Sequence, residues 1–188
     1  SSSLTSIDEF AFHHCKSLIQ FTIPSSVTSI GNYAFYGCSS LKQISIPSSV
    51  TSIGNYAFQW GHDLNKILLS SSILSLEKNV FAFCTSVKQI SIPCSVTSIE
   101  EEAFYSCRSL EKISIPSSII SIGERSFAEC NSLKEITFSR PSSLISIEEF
   151  AFKKCSSLEK ISIPSSVKKI GESAFFECSR LKEVSISS

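Results

Sequence analysis

Methionine is missing altogether from this 188-residue chain. A chain that does not begin at a start codon is expected to be a piece of a longer protein, with any leader or anchor in the remainder. The 17 basic and 17 acidic side chains cancel to a formal charge of zero, which leaves no electrostatic reason to expect nucleic acid or an anionic membrane as partner. No apolar run approaches the roughly 18–20 residues that a membrane span needs. No Asn-x-Ser/Thr sequon occurs, so secretion gains no support from glycosylation. A glycine-rich phosphate loop and an H-E-x-x-H pair are missing too. Catalysis needs a nucleophile, a base and an orienting group to converge. The histidines His13, His14 and His62 occupy only two places, both away from the strand-like segments. The chain is expected not to be an enzyme and to carry no cofactor or metal.

What is there is repetition. Serine is over-used, which alone would point to low complexity, yet Ile, Leu, Val and Phe fall regularly between the serines. The phrase "IPSSVTSIGNYAF" stands at Ile23–Phe35 and again, letter for letter, at Ile46–Phe58. Phe12, Phe35, Phe58, Phe81, Phe104, Phe127, Phe152 and Phe175 follow one another at 23, 23, 23, 23, 23, 25 and 23 residues. The single long step comes from two extra residues between Phe138 and Leu144. An alanine usually precedes the Phe, and a cysteine follows three later except at Gly61. Eight copies fill residues 1–188 as one array with no room for a second domain.

Within a copy, "QISIP" alternates polar and apolar residues as a strand does, and Pro47 closes it. "SVTSI" reads as a second extended segment, and "GNYAFYGC" suits one or two helical turns. One unit cannot bury its own apolar face, so neighbouring copies have to stack and share a core. Phe35, Cys38, Leu41, Ile44, Ile46, Val50 and Ile53 are expected inside.

The stretch "LKQISIPSSV" (Leu41–Val50) resembles a leucine-rich repeat. The 23-residue length, the C-x-x-L opening and the "SIG-x-x-A-F" close resemble the treponemal, or BspA-like, branch across all eight copies. The serine-rich wording is similar to copies multiplied in parasitic protists. The resemblance implies a leucine-rich repeat solenoid with a parallel β-sheet on the concave side and short helical turns or extended segments on the convex side. It further implies a non-enzymatic binding or adhesion module at the cell surface or secreted, with a protein or glycan ligand such as extracellular matrix. An intracellular, cytoplasmic interaction scaffold and a structural spacer stalk stand as alternatives.

With Ile44 and Ile46 inward, Lys42, Gln43 and Ser45 lie on the concave face. In the last four coils the two charged rows alternate in sign out of phase, as opposite-charge neighbours across the ladder. The first four coils carry Lys42, Lys66 and Lys88 without an acidic neighbour, and Leu68 replaces a Ser or Thr. Lys42, Gln43, Lys66, Leu68, Lys88 and Gln89 are therefore the candidate partner-binding residues. Trp60, in the irregular third copy, is expected to fill the space left by Gly61, with a recognition spot at the surface as the alternative. The in-phase cysteines are expected to be a buried ladder of free thiols used as small hydrophobes, with Cys94 off the ladder and exposed. His13 and His14 are expected to diverge, with Cys15 turned inward, so "HHC" makes a poor metal site. Neither end carries a polar cap, which implies exposed apolar ends and end-to-end self-association.

Overall fold

In the computed structural model, which describes residues 3–187, every coil of the chain crosses two rows of parallel strands. The first row carries β3 (Gln43–Ser45), β5 (Lys66–Leu68), β7 (Gln89–Ser91), β9 (Lys112–Ile115), β11 (Glu135–Phe138), β13 (Lys160–Pro164) and β15 (Glu183–Ser187). The second row is made of two-residue strands: β1 (Ser6–Ile7), β2 (Ser29–Ile30), β4 (Ser52–Ile53), β6 (Ser75–Leu76), β8 (Ser98–Ile99), β10 (Ser121–Ile122), β12 (Ser146–Ile147) and β14 (Lys169–Ile170). Pairing is parallel and in register between copies, Ile44 against Ile67 and Ile113 against Ile136. That register keeps each aliphatic column on the inside, because a slip by one residue would turn it out to water.

The turn segments contain no helix among the described residues. Their amides alternate instead. In the second copy, Tyr33, Phe35 and Gly37 donate to Asn55, Ala57 and Gln59 of the next coil at 2.8–2.9 Å. Ala34, Tyr36 and Cys38 donate to carbonyls three residues back in their own coil. A helix would spend every amide internally; here every second one ties neighbouring coils together. The geometry requires two left-handed residues per coil, for example Tyr33 (φ 55°) and Gly37 (φ 69°). Only one such position in the array is glycine. Each of the others costs about 1–2 kcal/mol, offset by the bonds to the next coil and by side-chain stacking.

Phe35, Phe58, Phe81, Phe104, Phe127 and Phe152 are all buried, and their rings stack in one column at 5.2–5.8 Å. Each stacked pair adds about 0.5–1.5 kcal/mol beyond simple burial. This spacing exceeds the roughly 4.7–4.9 Å between paired strands, as it does for rings stacked with an offset. Phe12 and Phe175 are only partly buried, being in the outermost coils.

The cysteine column is buried from Cys38 to Cys178. Each thiol donates to the carbonyl of the core Phe one coil back, as Cys107 Sγ does to Phe81 O at 3.2 Å and Cys130 Sγ to Phe104 O at 3.3 Å. A small side chain that is apolar enough for the core yet carries a donor is what this position can use. Burial pushes the Cys107 thiol up to about 12 and that of Cys38 up to about 11.

The ladders are interrupted in two places. β5 does not pair with β7, nor β4 with β6, so the third copy is unpaired on one side in each row. β11 does not pair with β13, where the two extra residues enter, while the second row runs on unbroken past that point. The turn side is continuous throughout the third copy: Tyr56, Phe58 and Trp60 still donate to Lys78, Val80 and Ala82. Ring spacing there widens to 5.6 and 5.8 Å on either side of Phe81.

Candidate functional site on the strand face

Leu68 is 49% exposed at the end of β5, between Ser45 on one side and the unpaired edge on the other. Strand alternation puts Ile67 into the core and leaves Lys66 and Leu68 on the surface. A cavity of about 730 Å³ lies over the interruption, lined by Lys66, Leu68, Gln89, Ser114, Thr137 and the Lys112–Glu135 pair among others. Gln43, Lys66 and Leu68 border a second recess of about 320 Å³, and Lys88 and Gln89 a third of about 650 Å³. Five of the six expected residues are thus brought together around one stretch of the face. Lys42 is exposed and lies outside these three recesses.

The charge pattern divides the face. Lys112 meets Glu135 at 3.1 Å and Lys134 meets Glu111 at 3.5 Å, as the alternating rows require. Each exposed pair is worth no more than about 0–1 kcal/mol, but together they cancel the local field. In the last two coils the expected partners do not close: Lys160 and Glu183 are opposite in register without an ion pair, and Glu159 pairs with Arg180 at 2.9 Å. Among the described residues, Lys42, Lys66 and Lys88 take part in no ion pair. The second to fourth coils therefore present three lysines outside any ion pair, with Lys66 beside an exposed leucine.

Three expectations need correction. Trp60 does not fill the space at Gly61. It stacks on Phe83 at 3.8 Å on the turn side. His13 and His14 do not diverge, because their rings meet edge-on at 4.3 Å, with His13 also stacked on Tyr36. Cys15 is exposed rather than inward. Among the described residues no group of three or more His, Cys, Asp or Glu is placed to hold a metal ion.

Sequence reasoning missed the turn-side aromatics, where Phe10, Tyr33 and Tyr56 stack at 5.0 and 4.6 Å. Their common phase in the repeat was the available signal. It also missed exposed Leu74, beside β6, which pairs with β8 but not with β4, in the same irregular copy.

Six copies of the BspA type leucine rich repeat region match the sequence over residues 5–117 and 97–188. The chain belongs to the BspA-type leucine-rich repeat family. Among solved structures, the array is similar to the leucine-rich repeat protein of T. pallidum, at 29% identity and TM-score 0.80, over 94% of this chain and 82% of that one. It shares the fold of a leucine-rich repeat protein from Eubacterium ventriosum, at 21% identity and TM-score 0.59, over 99% and 71%. It also resembles the pneumococcal vaccine antigen PcpA, at 25% identity and TM-score 0.52, over 96% of this chain and 42% of that protein. No curated protein sequence matches significantly. BspA-type arrays are protein-binding scaffolds, and no helix among the described residues is long and apolar enough to cross a membrane.

Proposed function

We propose that this BspA-type array is a non-enzymatic adhesion module whose second to fourth coils bind a protein segment that is acidic and carries an apolar side chain. The observation that carries the reading is Lys66 beside exposed Leu68 in the recess of about 730 Å³ at the ladder interruption, with Lys42 and Lys88, like Lys66, in no ion pair among the described residues. Unpaired lysines favour an anionic partner and speed its encounter, while an exposed apolar residue lining a recess supplies the short-range anchor. Display at the cell surface or by secretion is part of the proposal, and its support is the likeness to the pneumococcal antigen.

The test is a Lys66→Glu/Leu68→Glu variant, measured for adhesion to matrix proteins and to host cells beside the parent. Binding should fall by about tenfold or more while the circular dichroism spectrum is unchanged. Undiminished adhesion by the folded variant would refute the site.

A second reading, a cytoplasmic scaffold, draws on Cys94, an exposed free thiol that oxidation would threaten outside a reducing compartment. Labelling Cys94 on intact cells with a membrane-impermeant thiol reagent separates the two: reaction supports surface display, and reaction only after lysis supports the scaffold. The apolar ends are the third element of the proposal. Ile19 at one end and Val184 and Ile186 at the other are all more than half exposed, and they are proposed to stack end to end. Light scattering that stays monomeric at high concentration would remove that element.

A further inference from the structure

The chain has four tyrosines, Tyr33, Tyr36, Tyr56 and Tyr105. Tyr33 and Tyr56 hold the same place in the two identical copies of the repeat phrase, one coil apart on the turn side. Their rings stack at 4.6 Å between centroids and lie within 3° of parallel. The backbone holds them in step. The Tyr33 amide donates to Asn55 O at 2.9 Å, and the Asn55 amide donates to Asn32 Oδ1 at 2.9 Å. Asn32 and Asn55, which precede the two tyrosines, thus clamp the coils together where the rings begin. The Tyr56 amide is fixed in turn by Lys78 O at 2.9 Å.

The other two tyrosines are placed differently. Tyr36 lies 5.7 Å from Tyr33 but is tilted by 58°, and it stacks on His13 instead. Tyr105 meets Phe83 edge-on at 5.2 Å. Phe10 covers the other side of Tyr33 at 5.0 Å, so Tyr56 supplies the one phenol ring parallel to it. Tyr33 and Tyr56 are both half-buried, which leaves part of each within reach of a soluble oxidant. Partial burial, then the phenols of Tyr56 and Tyr36, then Glu9 raise the Tyr33 pKa, against a smaller opposing effect of Lys78. At neutral pH Tyr33 is therefore a neutral phenol, which gives up its electron and proton together.

We propose that Tyr33 and Tyr56 are a site of oxidative cross-linking, where a peroxidase using hydrogen peroxide joins the second and third coils through a dityrosine bond. One hydrogen atom leaves each phenol oxygen, and the two together reduce one peroxide to two waters. The unpaired electrons spread onto the ring carbons ortho to oxygen. Two such carbons, one from each ring, pair their electrons in a carbon–carbon bond. The hydrogen on each then moves to its phenol oxygen, which restores both rings. Side-chain rotation carries the rings from stacking contact to bonding distance. The clamped backbone makes this encounter far more frequent than any between unpaired tyrosines. The bond closes a loop across one coil and so takes freedom from the unfolded chain. The site is on the turn side and holds whether or not the strand face binds a protein.

The test exposes the dilute chain, with exposed Cys15 and Cys94 alkylated first, to a plant peroxidase and hydrogen peroxide. The monomer should lose the mass of two hydrogen atoms and gain the blue fluorescence of a biphenol. Trypsin, cutting the unfolded product after Lys16, Lys42 and Lys66, should release peptides 17–42 and 43–66 joined through Tyr33 and Tyr56. The cross-linked monomer should also unfold at a higher urea concentration than the parent. Tyr33→Phe and Tyr56→Phe, which keep a ring in the stack as Phe10 does, should each abolish the link. Tyr36→Phe and Tyr105→Phe should leave its yield unchanged. A link through Tyr36 or Tyr105 instead, undiminished yield in Tyr33→Phe, or cross-linking only between separate molecules would overturn the proposal. So would tyrosines left intact under conditions that couple free tyrosine.

Discussion

The fifth and sixth coils and the second to fourth share the same core columns and differ on the strand face. In the fifth and sixth, Lys112 and Lys134 each have a glutamate across the ladder. In the second to fourth, Lys42, Lys66 and Lys88 have none, Leu68 is exposed, and the ladder is broken between β5 and β7. Both regions fold for one reason, the stacking of Phe and aliphatic columns, so the core cannot be what distinguishes them. The surface residues can change without cost to the stack, and they are where a partner would select.

The largest effect should come from breaking what the two regions have in common. Phe104→Ala, in a fully covered coil, is expected to lower unfolding free energy by about 3–5 kcal/mol, read by urea denaturation. Phe12→Ala, in the half-covered first coil, should cost clearly less. Equal losses would mean that the end coils are covered after all.

The thiol column gives the next largest effect, through pH. Burial raises the Cys107 pKa from 9.0 to about 12, so the folded chain holds the proton where the unfolded chain loses it. Stability tied to that group is therefore complete below about pH 9 and declines as pH climbs toward 12. Cys84 and Cys130 are shifted in the same direction by the same burial. Denaturation midpoints should fall progressively from pH 9 upward, and Cys107→Ala should lessen the slope. At neutral pH a thiol reagent should modify exposed Cys94 long before the column.

Gly61→Cys should make the third coil more like its neighbours. It supplies the missing member of the column and removes a flexible glycine from the unfolded chain, a gain of about 0.5–1 kcal/mol. A loss of stability would mean that Cys84 and Leu64 have closed the space too tightly for a side chain.

The smallest effect sharpens the contrast in charge. Glu135→Lys sets two lysines across the ladder from each other and should cost no more than about 1 kcal/mol. Lys66→Glu, with no partner to lose, should leave stability within about 0.5 kcal/mol while altering binding. Equal destabilisation by the two would erase the distinction between the regions.

Most of the fold was legible in the sequence because a repeat states each inward position many times over. The Phe, Cys and Ile columns needed only the period to be found, and the strand followed from alternation in "QISIP". The turn segment was harder. Its amides bond alternately to the same coil and the next, and the left-handed residues that make this possible include Tyr56, Trp60 and Phe83, which carry none of the glycine signal that usually marks such backbone. At the site, Leu68 and the unpaired lysines could be read from rows of counterparts. The interruptions could not, since strand pairing depends on coil spacing that no single residue encodes. The placing of Trp60 was not legible because its position in the repeat lies on the turn side, where its ring stacks on Phe83, rather than in the column that Gly61 interrupts.

Amide hydrogen exchange tests the division of the strand face most directly. Asn65, Glu111 and Lys134 donate backbone bonds to the coil before, at 2.9–3.0 Å, and the equivalent amides of Lys88 and Glu159 make no such bond. Lys88 and Glu159 are expected to exchange quickly while Asn65, Glu111, Lys134 and the turn-side amides of Phe58 and Trp60 stay protected. Protection of Lys88 equal to that of Glu111 would show an unbroken ladder and contradict the account.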